Sequence, residues 1–535
     1  MGQLSALTAQ PADATGSPRR ANSWRPTLLF FVVSFALVFG AFSVGRKLNV
    51  DENVFTATAA LLSRHAILQY RDYHYNHLPT LVFIYAGLFK LTNYLLLSAR
   101  TFCALSAAAT AAAIYYFARE SFAFLPPRRR QIFALGIGIL FLANPLFTHT
   151  AGRAWNHDFP ILMSVLAFVI LSRALANSRA ALVALAGFLV GLAVTARLTF
   201  ATELFPFGLF LLIYPRLRIS KRIALCALFA VGFLIAALPT IWVWAQSPTN
   251  AYFGNFQYPA LNTLWHFDHD DLIHHRDTLL SKLYFFIKKT WELPGNGIVT
   301  WGFLSLIVLA RFWNHILQDP WRTNLFILIL LAASQLAAGL VPSPPFEQYY
   351  YAATPFMILA ITLCLARLPD LALNPKNTWI WITCLIVTIG FAIPEYRDFP
   401  VLFWPPAWFP VRAHDLGQRI AKASGPGPVL TLDPIYVLEG GLDIYPQLAT
   451  GPFGIRVGDY LTPAQRAQYK MWGTDDLKRL FEQTPPPKIM ISPGSDGDIE
   501  ALLTQLAKSH GYREVDVNTQ KPGVIILWLP PPQSH

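Results

Sequence analysis

Residues 27–44 form an uncharged apolar run, and ten further runs follow at 101–118, 131–148, 159–175, 180–196, 199–214, 223–244, 298–309, 325–341, 350–366 and 379–393. Most approach the length a helix needs to cross the roughly 30 Å hydrocarbon core of a bilayer. The pattern predicts about eleven transmembrane helices. Another run, 78–97, is interrupted by Lys90, Thr92 and Asn93, and reads either as a crossing helix or as one that lies along the surface or re-enters. From about Glu395 the pattern changes. A proline-rich aromatic stretch at 399–410 precedes residues of soluble-domain composition, in which 429–433, 488–492 and 524–529 predict short buried strands, and 475–482 and 498–510 predict helices. The chain thus divides into a tail (1–26), a helical membrane domain (27–394), a linker (395–411) and a small C-terminal α/β domain (412–535).

Charge decides the ambiguous run. If 78–97 stays at the surface, the loops carrying Arg119 with Arg128, Arg173 with Arg179, Arg218 with Arg222, Arg311 with Arg322, and Arg367 with Lys376 all share the side of the N-terminal tail. Basic loops mark the cytoplasmic side; a crossing would move every one of them out. The expectation is a multi-pass protein of the plasma (inner) membrane, with a cytoplasmic N-terminus and an extracytoplasmic C-terminal domain. Segments 46–100, 153–158, 196–199, 246–297 and 341–349 then gather on the outer face.

With 54% hydrophobic and 13% charged residues and a mean hydropathy of +0.40, the 535-residue chain is not one large soluble core. The net charge of +12 comes without a basic stripe or stacking platform, which argues against nucleic acid and for topology. Cys103, Cys226, Cys364 and Cys384 all fall in apolar segments and read as packing residues. Arg19, Arg20 and Arg25 precede the first run, and no small-residue cleavage site follows it, so that span is expected to be retained.

The outer face carries the chemistry. Asp51 and Glu52 follow the first span, where each like charge and the nearby low-dielectric slab raise the other's pKa, which suits a catalytic base. Residues 54–67 predict an interfacial helix. Tyr70, Asp72, His74 and His77, in the dense segment ending at Pro79, read as a substrate-binding surface. Arg153, Asn156, His157 and Asp158 precede the 159–175 run; Asp158 alone reads equally as a helix cap or as a functional acid. Arg197, held between two spans, offers the rigid five-donor fork suited to phosphate. Acids, cations and aromatics at one bilayer surface fit the use of a lipid-linked phosphosugar.

These residues resemble the GT-C superfamily of polyprenyl-phosphate-sugar glycosyltransferases, in the branch of protein O-mannosyltransferases and lipid A aminoarabinose transferases. The resembling motifs are Val50-Asp51-Glu52-Asn53, the 70–79 segment, Arg100-Thr101-Phe102-Cys103-Ala104-Leu105, Asn156-His157-Asp158-Phe159-Pro160, Gly191-Leu192-Ala193-Val194-Thr195-Ala196-Arg197, and Tyr349 to Pro355. The resemblance implies a GT-C membrane fold with outer interfacial helices, and a polyprenyl-phosphate sugar donor. It implies Asp51 as base, Glu52 as its neighbour, Asp158 as a second-loop acid and Arg197 at the donor phosphate; Arg153 is a further candidate for the phosphate and Tyr349 for the substrate. The acceptor, whether protein, lipid A or glycan, stays open.

One departure concerns metal. The aminoarabinose transferases carry a metal-binding Glu where this chain has Asn76-His77. The outer loop offers His266, His269 and Asp270, which with His77 are candidate ligands for a divalent metal; because the spacing matches no closed site, the favoured reading of the same loop is solvated and metal-free. Transporters place ionisable groups mid-membrane and often show repeated halves. Here Glu203 is the main acid within a span, read as an end-of-helix partner of Arg197, and no repeat is visible.

Overall fold

The computed structural model describes residues 24–215, 217–269, 278–309, 319–367, 375–492, 496–517 and 525–531. Each of the eleven predicted apolar runs falls on helix. The elements are α1 (Arg25–Val38), α2 (Val50–His65), α3 (Thr80–Phe89), α4 (Leu95–Ser121), α5 (Pro127–Leu142), α6 (Pro145–Thr150), α7 (Asp158–Ala176), α8 (Ala180–Ala196), α9 (Leu204–Ile213), α10 (Ile219–Gln246), α11 (Pro248–Tyr252), α12 (Tyr258–His269), α13 (Leu279–Glu292), α14 (Pro294–Leu309), α15 (Pro320–Leu340), α16 (Thr354–Arg367) and α17 (Pro375–Ala392). Among the described residues, seven helical stretches are long and apolar enough to cross a membrane. The chain is a polytopic helical membrane protein.

The interrupted run 78–97 resolves into α3, a turn, and the start of α4. Ten residues of helix extend about 15 Å, half of what a crossing needs. The run 131–148 likewise breaks in two. Asn144 caps α6, its Oδ1 accepting from Leu146 N at 3.0 Å and Phe147 N at 3.4 Å, and Pro145 takes the first helical position.

The membrane helices approach closely where side chains are small. A Cβ on Gly187 of α8 would lie 2.0 Å from the Phe229 carbonyl oxygen of α10, and one on Gly232 of α10 would lie 2.0 Å from that of Ala184. Glycine permits this contact because it lets the two backbones meet without hydrophobic side chains between them.

Helix α2 begins earlier than residues 54–67 suggest. Asn49 Oδ1 accepts from Asp51 N at 3.0 Å and Glu52 Oε2 accepts from Asn49 N at 2.9 Å, a reciprocal cap that draws Asp51 and Glu52 into the first turn. Both carboxylates therefore sit at the positive end of a helix dipole.

The C-terminal region carries a four-stranded mixed sheet in the order β1 (Leu430–Thr431), β2 (Ile489–Ile491), β4 (Ile526–Leu529), β3 (Arg513–Asp516). β1 and β2 are parallel; the other pairs are antiparallel. Three strands lie where the apolar pattern predicts them. β3 is an edge strand of sequence Arg-Glu-Val-Asp, mostly exposed, and charged edges of this kind give no apolar signal.

This sheet region is pinned to the start of the membrane domain. Asn53 of α2 donates to Asp433 Oδ1 at 3.1 Å and accepts from Ile435 N at 3.2 Å. Arg64 donates to the Leu438 carbonyl at 2.7 Å, and Glu439 accepts from Leu96 N of α4 at 2.7 Å.

Candidate active site

Glu52 and Arg100 form a fully buried, two-pronged ion pair, with Arg100 Nε 2.8 Å from Oε1 and Nη2 2.6 Å from Oε2. The remaining guanidinium protons go to the carbonyls of Ser43 at 2.8 Å, Arg46 at 2.7 Å and Lys47 at 3.0 Å. Glu52 Oε1 also accepts from Ala154 N at 2.8 Å. Burial alone would raise the Glu52 pKa, but Arg100 outweighs it and the carboxyl is held below its usual range. Every Glu52 side-chain oxygen is engaged and none is exposed. The pair ties the end of the first span, α2, α4 and the 152–156 loop into one body.

Asp51, one residue earlier, is different. It is partly buried and its carboxylate accepts no hydrogen bond among the described residues. Burial raises its pKa, and the charges of Arg456, Arg197 and Arg153 oppose that rise, while Glu52 adds to it.

Arg197 leaves α8 in extended conformation. It donates to Thr199 Oγ1 at 3.1 Å, to Asn156 Oδ1 at 3.2 Å and to the His157 imidazole at 2.7 Å, and its guanidinium carbon lies 5.5 Å from the centroid of the Tyr349 ring. Desolvation pulls its pKa down to about 10, so it is cationic at neutral pH. Arg197, His157 and Tyr349 line a narrow cavity with Gln335 and Thr199. Arg153 sits above Trp155, 5.4 Å from the ring centroid, and its buried Nε has no hydrogen-bond partner among the described residues.

Asp158 is fully buried at the start of α7. It accepts from Gly152 N at 2.8 Å and from Tyr351 Oη at 3.4 Å, so it fastens the 152–158 loop to the 347–353 turn. That turn, Glu347–Ala353, is a 3-10 helix, in which successive side chains point about 120° apart. Tyr349 accordingly meets Arg197, Tyr350 lines a second cavity, and Tyr351 meets Asp158.

Other expected site residues are placed elsewhere. Tyr70 Oη bonds the His77 carbonyl and accepts from Asn255 at 3.0 Å, deep in the outer loop. Asp72 caps its own turn, accepting from Leu68 N at 2.7 Å and pairing with Arg71. His74 is buried between Phe253 and Tyr258, with ring centroids at 5.6 and 4.5 Å. His77 stacks on Phe55 at 5.0 Å; burial and the Arg197 charge lower its pKa to about 3, leaving it neutral. Glu203 is not a partner of Arg197. It accepts from Gln335 Nε2 at 2.7 Å and from Ser164 Oγ.

The metal candidates do not converge. His269 stacks on Trp265 at 4.6 Å and His266 lies beside the same indole at 5.0 Å, both on α12, and Asp270 lies outside the described residues. Among the described residues no group of three or more His, Cys, Asp or Glu gathers in a way that could hold an ion. The residues described do not fit a metal.

Arg456 is the main residue the sequence did not single out. Its guanidinium carbon lies 4.1 Å from the Trp265 centroid and 4.7 Å from that of Phe453, and its Nε is 3.4 Å from Asp496 Oδ2. It comes from the C-terminal region, just after the 3-10 turn Gly451–Gly454. A Cβ on Gly451 would lie 3.9 Å from Asn53 Cβ, which seats that turn on the first turns of α2.

No protein-family model and no curated protein matches the chain. Solved structures do. ArnT from Cupriavidus metallidurans bound to undecaprenyl phosphate superposes with a TM-score of 0.61 at 15% identity, covering 96% of this chain and 100% of that one. An oligosaccharyltransferase from Archaeoglobus fulgidus, tethered with an acceptor peptide, gives 0.51 at 11% identity, covering 94% and 74%. The chain has the GT-C fold. Within that GT-C frame, Asp51, Arg153, Arg197, Asn156, His157 and Tyr349 share one neighbourhood, with Glu52, Arg100 and Asp158 holding its walls.

Proposed function

We propose that the chain is a membrane glycosyltransferase that moves a sugar from a polyprenyl-phosphate donor to an acceptor hydroxyl on the extracytoplasmic face, with inversion. The observation that carries this reading is the unpaired Asp51 carboxylate within the field of three arginines. Undecaprenyl phosphate, bound in the structurally similar ArnT, supports the class of donor. In this scheme the donor phosphate meets Arg197 and the free Arg153 Nε, and the polyprenyl tail stays among the membrane helices. Asp51 takes the proton of the acceptor hydroxyl as that oxygen bonds to the anomeric carbon. The bond from that carbon to the phosphate oxygen breaks, and the arginines stabilise the departing polyprenyl phosphate. His157 and Tyr349 orient Arg197. The acceptor class is a protein, lipid A or glycan hydroxyl, and the C-terminal region covers the site from outside the membrane. No step is routed through a metal.

The direct test is donor binding. Arg197→Ala is expected to weaken binding of undecaprenyl phosphate by roughly ten- to hundredfold, the range set by loss of charged hydrogen bonds. Titration of wild type and variant in nanodiscs measures it; equal affinities would remove Arg197 from the phosphate.

Arg456 supplies a second test. A base acts only when ionised, so activity falls as pH drops through the Asp51 pKa. Arg456 lowers that pKa, and Arg456→Gln should shift the acid limb of the transfer rate to higher pH. Asp496→Asn leaves Arg456 less neutralised and should shift the limb the opposite way. Limbs that stay fixed in both variants would contradict the coupling.

A further inference from the structure

Two spans end side by side near the start of α2. The first, Arg25–Ser43, and the last, Trp379–Tyr396, bring Phe42 and Tyr396 together with ring centroids 4.8 Å apart. The proline-rich stretch that follows stays at this level. A Cβ on Gly40 would lie 3.0 Å from Leu402 Cβ and from Phe399 Cδ2, and one on Gly45 would lie 2.7 Å from Asp398 Cβ. Trp408 packs edge-on against Phe39 at 5.3 Å, and Phe409 N donates to the Val44 carbonyl at 2.7 Å. The linker therefore runs along the last turns of the first span, at the height where a span meets the headgroups.

Two large aromatics stand out from it. Phe403 is 75% and Trp404 66% exposed, between the 3-10 turns Phe399–Phe403 and Pro405–Ala407, whose prolines restrict the backbone. Beyond Trp404 no large hydrophobic side chain among the described residues is exposed, so the C-terminal region keeps its apolar groups inside and shows this pair alone at its membrane end. The last span leads up to the pair with an apolar surface, Phe391 and Ile393 being exposed as well. Two cations flank it: exposed Lys47, and Arg397, whose side chain is 81% exposed and lies 4.0 Å from Asp398. Tryptophan, with an apolar body and one N–H donor, suits the boundary between hydrocarbon and headgroups, and long basic side chains reach the phosphates above it. At this height a protein partner would meet headgroups before it met the rings.

We propose that Phe403 and Trp404 insert into the boundary between acyl chains and headgroups, with Lys47 and Arg397 at the phospholipid phosphates, so that the bilayer itself holds the linker. The contact is separate from the Asp51 centre and does not depend on the glycosyltransferase reading. It bears on the site through Phe409, whose ring lies 5.5 Å from the Arg100 guanidinium carbon. Lipid gripping residues 403 and 404 thus fixes the chain where the C-terminal region meets the Glu52–Arg100 pair.

The test places the photoreactive residue p-benzoylphenylalanine at Phe403, at Trp404 and, as a control, at the exposed Lys508, in full-length protein in phospholipid nanodiscs. After illumination, mass spectrometry is expected to find a phospholipid adduct at 403 and at 404 and none at 508. An aromatic replaces an aromatic at both test positions, and thermal unfolding beside wild type checks that each variant is folded. A second measurement needs only a conservative change: the emission that Trp404→Phe removes should be quenched by brominated phospholipid and spared by aqueous iodide. Lack of a lipid adduct at both positions, a crosslink from 403 to a second copy or to another protein, or Trp404 emission quenched by iodide and spared by bromine would each overturn the proposal. Every readout is available even if sugar transfer is never observed, so the proposal fails independently of the proposed activity.

Discussion

Asp51→Asn is expected to lower the rate of sugar transfer by about a hundred- to ten-thousandfold, the range lost when a positioned general base is removed. The exchange keeps the size of the side chain, and because no hydrogen bond engages the Asp51 carboxylate among the described residues, folding and donor binding should be little changed. The measurement is transfer from a radiolabelled polyprenyl-phosphate sugar beside undecaprenyl phosphate binding to the same preparation. Transfer within threefold of wild type would remove Asp51 from the chemistry. Loss of donor binding along with transfer would instead make Asp51 part of the binding surface. Burial raises the pKa of this group, so the wild-type enzyme should lose activity on acidification above the range of an ordinary aspartate.

Arg100→Met is expected to destabilise the protein by about 3–5 kcal/mol, because it strands the Glu52 carboxylate in a site with no solvent. The reciprocal Glu52→Gln strands the guanidinium less completely, since three carbonyls still accept from it. Replacing both partners with apolar residues should recover part of the loss. Thermal unfolding in detergent measures all three, and a wild-type midpoint for Arg100→Met would show that the pair holds nothing together. The pH dependence has a definite sign. The Glu52 pKa is depressed on folding, so its contribution is full above the unfolded carboxylate's range and is lost as pH falls through the lower folded value.

Membrane architecture was legible because apolar runs state their own lengths, and the interrupted run 78–97 falls on the ten-residue α3 and the start of α4. Asp51 and Arg197 were legible because charged residues beside apolar spans need a reason. The difference in surroundings between Asp51 and Glu52 came only through the resemblance, not from the residues themselves. It depends on Arg100, a residue 48 positions away from Glu52 whose side chain turns inward to one carboxylate and leaves the other free. Arg456 was illegible for a similar reason: nothing local marks it among the basic residues of the C-terminal region, and its meaning comes from where Gly451–Gly454 docks on α2. For the histidine-rich loop, where the sequence left a metal-bound and a metal-free reading open, the described His266 and His269 lie on the same helix and pack against Trp265.

The three adjacent tyrosines at 349–351 have a consequence for how this protein tolerates change. Each occupies a different compartment only because the turn advances by a third of a circle per residue. A one-residue insertion ahead of Tyr349 would therefore exchange the three compartments while leaving every tyrosine side chain intact. Substitution at one tyrosine is a local event; a shift of frame is a simultaneous rewiring of the Arg197 contact, the Asp158 clamp and the second cavity. Length at this turn is therefore expected to matter as much as the identity of any one tyrosine.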